Sequence, residues 1–274
     1  MQPKSALDDA LALMRDLRTR CDWDAAQTHD SLRPYLLEEA HEVDEAVRAG
    51  DDALLREELG DLLLQVLFHS VLAEERGAFD ADDVARTLVT KMRGRHPHLY
   101  GDGVKEPWER MKATRRLSIV DGLPIRLPGL HRAHRLQERA AGVHFDWPDV
   151  AGPLAKVAEE LAEVSELVTE HPPAFAPSGA AIDDAAHDRL EDELGDLLFS
   201  CVNLCRKAGV HAALALDRAN AKFSRRFEAV EALARARGLR VGQIPLEVLD
   251  RLWDEVKTSE RAADGATQSV PLGS

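Results

Sequence analysis

The 274-residue chain is 45% hydrophobic and 31% charged but only 5% aromatic, a globular composition whose core must be leucine, valine and alanine. Its formal net charge of -14 excludes a general nucleic-acid binder, because backbone binding needs a basic face, yet leaves room for a phosphorylated small molecule held through a cation. Three cysteines exclude a disulfide framework, so a reducing, cytoplasmic setting is expected.

The N-terminal stretch MQPKSALDDALALMRDLRTR carries acids where a signal peptide would be apolar. The longest apolar run, LLLQVLF, is too short for a membrane span, so no membrane partner is expected. From Leu32, the apolar positions Leu32, Leu36, Ala40, Val43 and Val47 repeat with helical period, and Gly50 ends that helix. A second helix is predicted from about Ala53 to Glu75. Its middle, DLLLQVLFHSVL, is apolar nearly all round and predicts a central buried element. Gly77 closes it, and Asp80 caps a third helix bearing Val84, Leu88 and Met92 that stops near Pro97.

Residues 101–130 are rich in glycine and proline and predict a connector, with a short helix at WERMKATRR. The plan then repeats, with helices predicted over roughly Pro153 to Glu170, Arg189 to Gly209 and Ala212 to Gly238. CDWD around Trp23 is echoed by FDWP around Trp147, and Lys91 of TKMRGR stands opposite Lys222 of AKFSRR. The expected organisation is therefore a repeat over 1–100, the connector, and a second repeat over 131–258. An inserted mobile loop is expected at 171–188, and a disordered tail at 259–274. No stretch alternates with period two, so the fold class is all-α and bundle-like. Cys201 and Cys205, four apart in an apolar stretch, are read as buried small hydrophobes.

The two repeats share a pattern of acids. LLEEAHEVDEAV holds Glu38, Glu39 and Glu42, and EELGDLLLQV holds Glu58 and Asp61; VAEELAEVSELV holds Glu159, Glu160 and Glu163, and DELGDLLFSC holds Glu193 and Asp196. Residues three or four apart share a helix face, so in an antiparallel hairpin four carboxylates converge. Glu39, Glu42, Glu58 and Asp61 would form one such set, and Glu160, Glu163, Glu193 and Asp196 the other. Their repulsion calls for a cation, and an oxygen-only set suits Mg²⁺ or Mn²⁺ better than zinc. Gly60 and Gly195, each about 1 kcal/mol worse than alanine in a helix, predict close approach of another helix at the acids. The Gly-rich loop of P-loop enzymes is absent from the sequence.

These two phrases, with CDWDAAQTHDSL, RHPHLYGD, LPGLHRAHRLQERAAGVHFDW and NAKFSRRF in this order, resemble the MazG family of nucleoside triphosphate pyrophosphohydrolases over nearly the whole chain. The resemblance implies two tandem MazG-like helical repeats, a homodimer, and Mg²⁺-dependent hydrolysis of an NTP or dNTP to the monophosphate and pyrophosphate. It implies metal ligands at Glu160, Glu163, Glu193 and Asp196. Nucleotide contacts would come from Lys156 and Glu159, from Arg189, Leu190, Glu191 and Asp192, from Lys222, Arg225 and Arg226, and from Trp253. Glu159, in preference to Asp192, would take the proton from water attacking the α-phosphorus, with Lys222, Arg225 and Arg226 neutralising the departing pyrophosphate. The C-terminal repeat is expected to be the main site. Glu38, Glu39, Glu42, Glu58, Asp61, Lys91 and Arg95 would form a second, weakened by Gly94 where the other repeat has Arg225. Two other readings remain at this point: a related all-α pyrophosphohydrolase for another nucleotide, or a helical interaction module with solvated acids.

Overall fold

The computed structural model describes residues 5–105, 108–113, 116–170 and 184–267, and among these every regular element is a helix. The chain forms two compact units, Met1–Glu106 and Pro107–Ser274. No helix of the described residues is long and apolar enough to cross a membrane.

The first unit contains α1 (Ala6–Arg20), α2 (Asp22–Ala26), α3 (His29–Ala49), α4 (Asp52–Glu75), α5 (Ala81–Gly94) and α6 (Pro97–Tyr100). Three helix starts are set by side chains that satisfy otherwise unpaired amides: Ser5 with Asp8 at α1, Thr28 with Ser31 at α3, and Asp80 with Asp83 at α5. At the other end of α3, Gly50 takes the left-handed conformation (φ 66°), and Asp51 at once caps α4 by accepting from the Ala53 and Leu54 amides. This two-residue junction folds α3 and α4 into a hairpin. Met14, Leu32, Phe68, Val71 and Leu72 form the core where α1 closes on that hairpin. Arg15 pairs with Glu74, and Arg18 with Glu75, along the same seam.

The burial predicted for the middle of α4 holds only for its second half. Phe68, Val71, Leu72 and Ala73 are buried, whereas Leu59, Leu64 and Val66 stay exposed, because α1 covers only the C-terminal part of the helix. His96 bonds the Met92 carbonyl at 2.8 Å and so closes α5, just before Pro97 where the helix was expected to stop.

The second unit contains α7 (Trp108–Ala113), α8 (Gly129–Gly142), α9 (Ala151–Glu170), α10 (Asp184–Lys207), α11 (Ala212–Ala236) and α12 (Leu246–Thr267). Helices α9 and α10 repeat the hairpin of α3 and α4, and α8 packs against α7, α10 and α11. Val230, Ala234, Leu252 and Val256 make the core between α11 and α12, with Leu233 and Trp253 packed on it. Asp146 anchors the chain before α9 to the end of α10 through Arg206 (2.5 Å) and Lys207 (3.0 Å).

Three boundaries differ from the sequence reading. The tail expected to be disordered from 259 is helical through Thr267, because Leu252 and Val256 dock α12 on α11 and Glu260 pairs with Arg225 and Arg226; residues 268–274 lie outside the described residues. Of the insertion expected at 171–188, residues 171–183 lie outside the described residues and 184–188 are the first turn of α10. The connector expected over 101–130 is divided. Its second part belongs to the second unit, where Glu109 receives Arg116 and Arg135, and Arg139 donates to the Ile119 and Asp121 carbonyls.

Candidate active site

Each hairpin brings three carboxylates together. In the first unit Glu39 and Glu42 of α3 meet Glu58 of α4; in the second, Glu160 and Glu163 of α9 meet Glu193 of α10. In both sets one oxygen from each residue lies within 4.8 Å of the others. The arrangement follows from helical geometry, since an i, i+3 pair on one helix faces a single acid on the next. Asp61 and Asp196, expected as fourth ligands, stand outside the groups of three and are exposed. Asp61 still acts on its cluster electrostatically, its charge raising the pKa of both Glu39 and Glu58.

The clusters are electrostatically strained in a way that suits a cation. Partial desolvation, followed by the charges of Asp61 and Glu42, holds the Glu39 carboxyl above the usual carboxylate range. Glu163 is raised by desolvation, by a hydrogen bond with Glu160 and by the charges of Glu160 and Glu193. An oxygen-only donor set that resists carrying its own negative charge fits a hard divalent ion.

Besides Gly94 against Arg225, the two sites differ at a residue that the sequence reading assigned but did not compare. Lys156 donates to Glu159 at 2.9 Å and stands 2.6 Å from Glu160, which is buried. These two partners raise the lysine pKa, and its charge in turn opposes the rise at Glu163. Aligning Glu39 with Glu160 sets Tyr35 opposite Lys156, so the first site has no such ammonium, and the neighbouring charges that raise Glu39 and Glu58 are all carboxylates. The register of the two copies carried this signal.

The remaining expected contacts are not members of either group of three. Glu38, Glu159, Arg189, Glu191, Asp192, Lys91 and Lys222 are exposed, and Leu190 and Arg95 are half-buried. Arg225 and Arg226, expected on phosphate, both pair with Glu260 of α12, at 3.2 and 2.6 Å. Trp253 packs in the α11–α12 cluster with its ring centroid 5.4 Å from that of Phe223. The close approach expected at Gly60 and Gly195 is not found among the described residues. A Cβ added at either meets nothing within 4 Å, and both residues are exposed.

What the sequence reading missed is a cavity of about 680 Å³ beside the second cluster, with Lys156 in its wall. Trp147 forms part of that wall, and its ring lies so close to Gly152 that any added Cβ there would collide with it. The repeated Asp-Trp at 22–23 and 146–147 was the available signal.

Residues 27–100 and 152–231, which carry the two acid hairpins, each match the MazG nucleotide pyrophosphohydrolase domain. The chain belongs to the MazG family. It is 39% identical over 269 residues to a nucleoside triphosphate pyrophosphohydrolase of Escherichia coli K12, covering 93% of this chain and 98% of that one. A Thermotoga maritima protein described as nucleoside triphosphate pyrophosphohydrolase/pyrophosphatase MazG is 40% identical over 259 residues, or 91% and 95% of the two chains. A nucleoside triphosphate pyrophosphohydrolase of Mycobacterium tuberculosis is 46% identical over 144 residues, 49% of this chain and 44% of its own. The all-α tandem architecture of the MazG repeats thus agrees with the fold seen here.

Proposed function

We propose that the protein hydrolyses nucleoside triphosphates to the monophosphate and pyrophosphate, chiefly at the α9–α10 hairpin. The observation that carries this reading is the convergence of Glu160, Glu163 and Glu193 beside Lys156, within the second of two MazG domains. Bound by these acids, with Asp196 three residues beyond Glu193 on α10, Mg²⁺ would supply the positive charge that draws a triphosphate to an acidic protein and makes its α-phosphorus open to water. Lys156 holds Glu159 and Glu160 in place. Glu159, exposed beside the cluster, is positioned to take the proton from water, with Asp192 as the alternative base.

Lys222, Arg225 and Arg226 would neutralise the departing pyrophosphate, for which the two arginines exchange Glu260 for phosphate oxygens. Residues Arg189 to Asp192 complete the nucleotide contacts, and Trp253 supports them by holding α11 through Phe223. The first cluster, with Glu38, Lys91 and Arg95, is a subsidiary site that lacks an equivalent of Lys156. A homodimer is the proposed assembly. Helix α5 has no buried residue, and Val84, Leu88, Val89 and Met92 are all exposed along it, an apolar surface suited to a second copy.

Product analysis tests the activity. With Mg²⁺, a panel of NTPs and dNTPs should give monophosphate plus pyrophosphate, lost with EDTA and in Glu163→Gln, while Glu42→Gln keeps most of the turnover. Diphosphate plus phosphate would reject hydrolysis at the α-phosphorus. Equal losses in the two variants would reject the assignment of the second hairpin as the main site.

A further inference from the structure

Arg225 and Arg226 are consecutive on α11, so their side chains leave the helix about 100° apart. Both nevertheless end on one residue. The Arg225 Nε and Nη2 donate to Oε1 of Glu260 at 3.3 and 3.2 Å, and the Arg226 Nε donates to Oε2 at 2.6 Å. Each carboxylate oxygen is thereby given to a different arginine. An anion gripped by guanidinium groups in this way occupies the donors that would otherwise serve a phosphate group.

The grip is uneven. Arg225 is 67% exposed, whereas Arg226 and Glu260 are 22% and 25% exposed. Arg225 can therefore meet an incoming anion while still paired, but Arg226 is freed only when Glu260 moves away. The place of Glu260 on α12 permits such a movement. Val256 and Leu252 dock the helix one and two turns earlier, while Arg261 and Ala262, beyond Glu260, are exposed. Two cations share one anion here, so the group keeps a net positive charge, and Lys222 adds to it from the preceding turn of the same helix face. The hydrogen bonds from Arg226 and then from Arg225 hold the Glu260 carboxyl below the usual carboxylate range, so it stays charged at neutral pH.

Resting on the hydrolase reading above, we infer that Glu260 is a built-in competitor for the polyphosphate: α12 keeps Arg225 and Arg226 occupied, and the phosphates of a ligand must displace its carboxylate before both arginines can serve them. A site of which only a fraction is open at any moment binds its ligand more weakly by that fraction. Glu260 thus sets affinity rather than the chemical step. The first repeat, with Gly94 in the place of Arg225, lacks the adjacent arginines on which such a latch would close.

The test measures binding of inorganic pyrophosphate by calorimetry, in EDTA so that no metal draws it to the acids. Glu260→Gln should bind pyrophosphate about threefold or more tighter than the unaltered protein. With Mg²⁺ and a nucleoside triphosphate, KM should fall by a similar factor while kcat is unchanged. Glu255→Gln is the matched control. It breaks the other α11–α12 ion pair, Arg237 with Glu255 at 2.6 Å, and should leave both affinities as they were. Glu260→Asp, with its carboxylate one methylene short of the arginines, should fall between the parent and Glu260→Gln. Pyrophosphate bound equally or more weakly by both Glu260 variants would overturn the latch, and so would an equal tightening in Glu255→Gln, which would mean that any loosening of α12 suffices. Tightening confined to the Glu260 variants, without release of pyrophosphate from any nucleotide, would leave the latch standing and sink the hydrolase reading alone.

Discussion

A carboxylate placed beside two others, and partly shielded from water, holds its proton longer than an isolated one, and Glu39, Glu58 and Glu163 all show this shift. That acids of the two helices in each hairpin would meet could be read from their i, i+3 spacing. Which would stand apart could not, because the side-chain reach of Asp61 and Asp196 depends on how the two helices of each hairpin are rotated. The glycines between the acids show the complementary limit. Their positions within the helices were legible, but the close approach inferred from them is absent among the described residues, since only a neighbouring backbone can show whether a Cβ has room. With open space at both sites, Gly60→Ala and Gly195→Ala should each stabilise the protein by about 1 kcal/mol, the ordinary helix preference for alanine. Urea unfolding of the two variants measures this. A loss of stability with loss of dimer would place the close approach between copies instead.

At the scale of elements, the 3.6-residue period and the caps located the hairpins, and Gly50 and Asp80 fell where the helices end and begin. Contacts distant in sequence were not legible. The clearest case is α8, whose His131 and His134 meet His211 at the start of α11, with ring centroids 4.7 and 4.4 Å apart. Burial first, then neighbouring charges including His211, lowers the pKa of His131; His134 is lowered by burial and by His211, against the opposing effect of Glu138. A histidine whose folded pKa is depressed stabilises the fold while neutral. That stability is present above the ordinary pKa of about 6.5 and is lost as pH falls through and below it. The melting temperature should therefore drop between pH 7.5 and pH 5.5, and drop less in His134→Leu, where one of these titrations is gone. Parallel profiles for the two proteins would remove His134 as a contributor.

For the molecule as a whole, duplication was the most legible feature, because it is written in the sequence as two aligned phrases and needs no contact to be seen. The consequences of divergence between the copies were harder to read. Arg225 and Arg226 hold Glu260, a residue of a stretch that composition alone marked as disordered, so the extent of α12 emerges only once its apolar stripe has α11 to dock on. The exposed apolar face of α5 and the uncovered half of α4 likewise gain meaning only from the fold, as surface that one copy leaves open.

Lys156 gives the second hairpin a resident counterion. When divalent ions are stripped away, Glu160 keeps a positive partner, whereas the first hairpin, with Tyr35 in the equivalent place, is left with its acids facing one another. Chelation should therefore loosen the two halves unequally. Under EDTA, hydrogen exchange should quicken across α3 and α4 more than across α9 and α10, and Lys156→Met should abolish that difference. The hairpin proposed to do the chemistry would then also be the one that tolerates a shortage of metal, keeping its shape ready while the other frays.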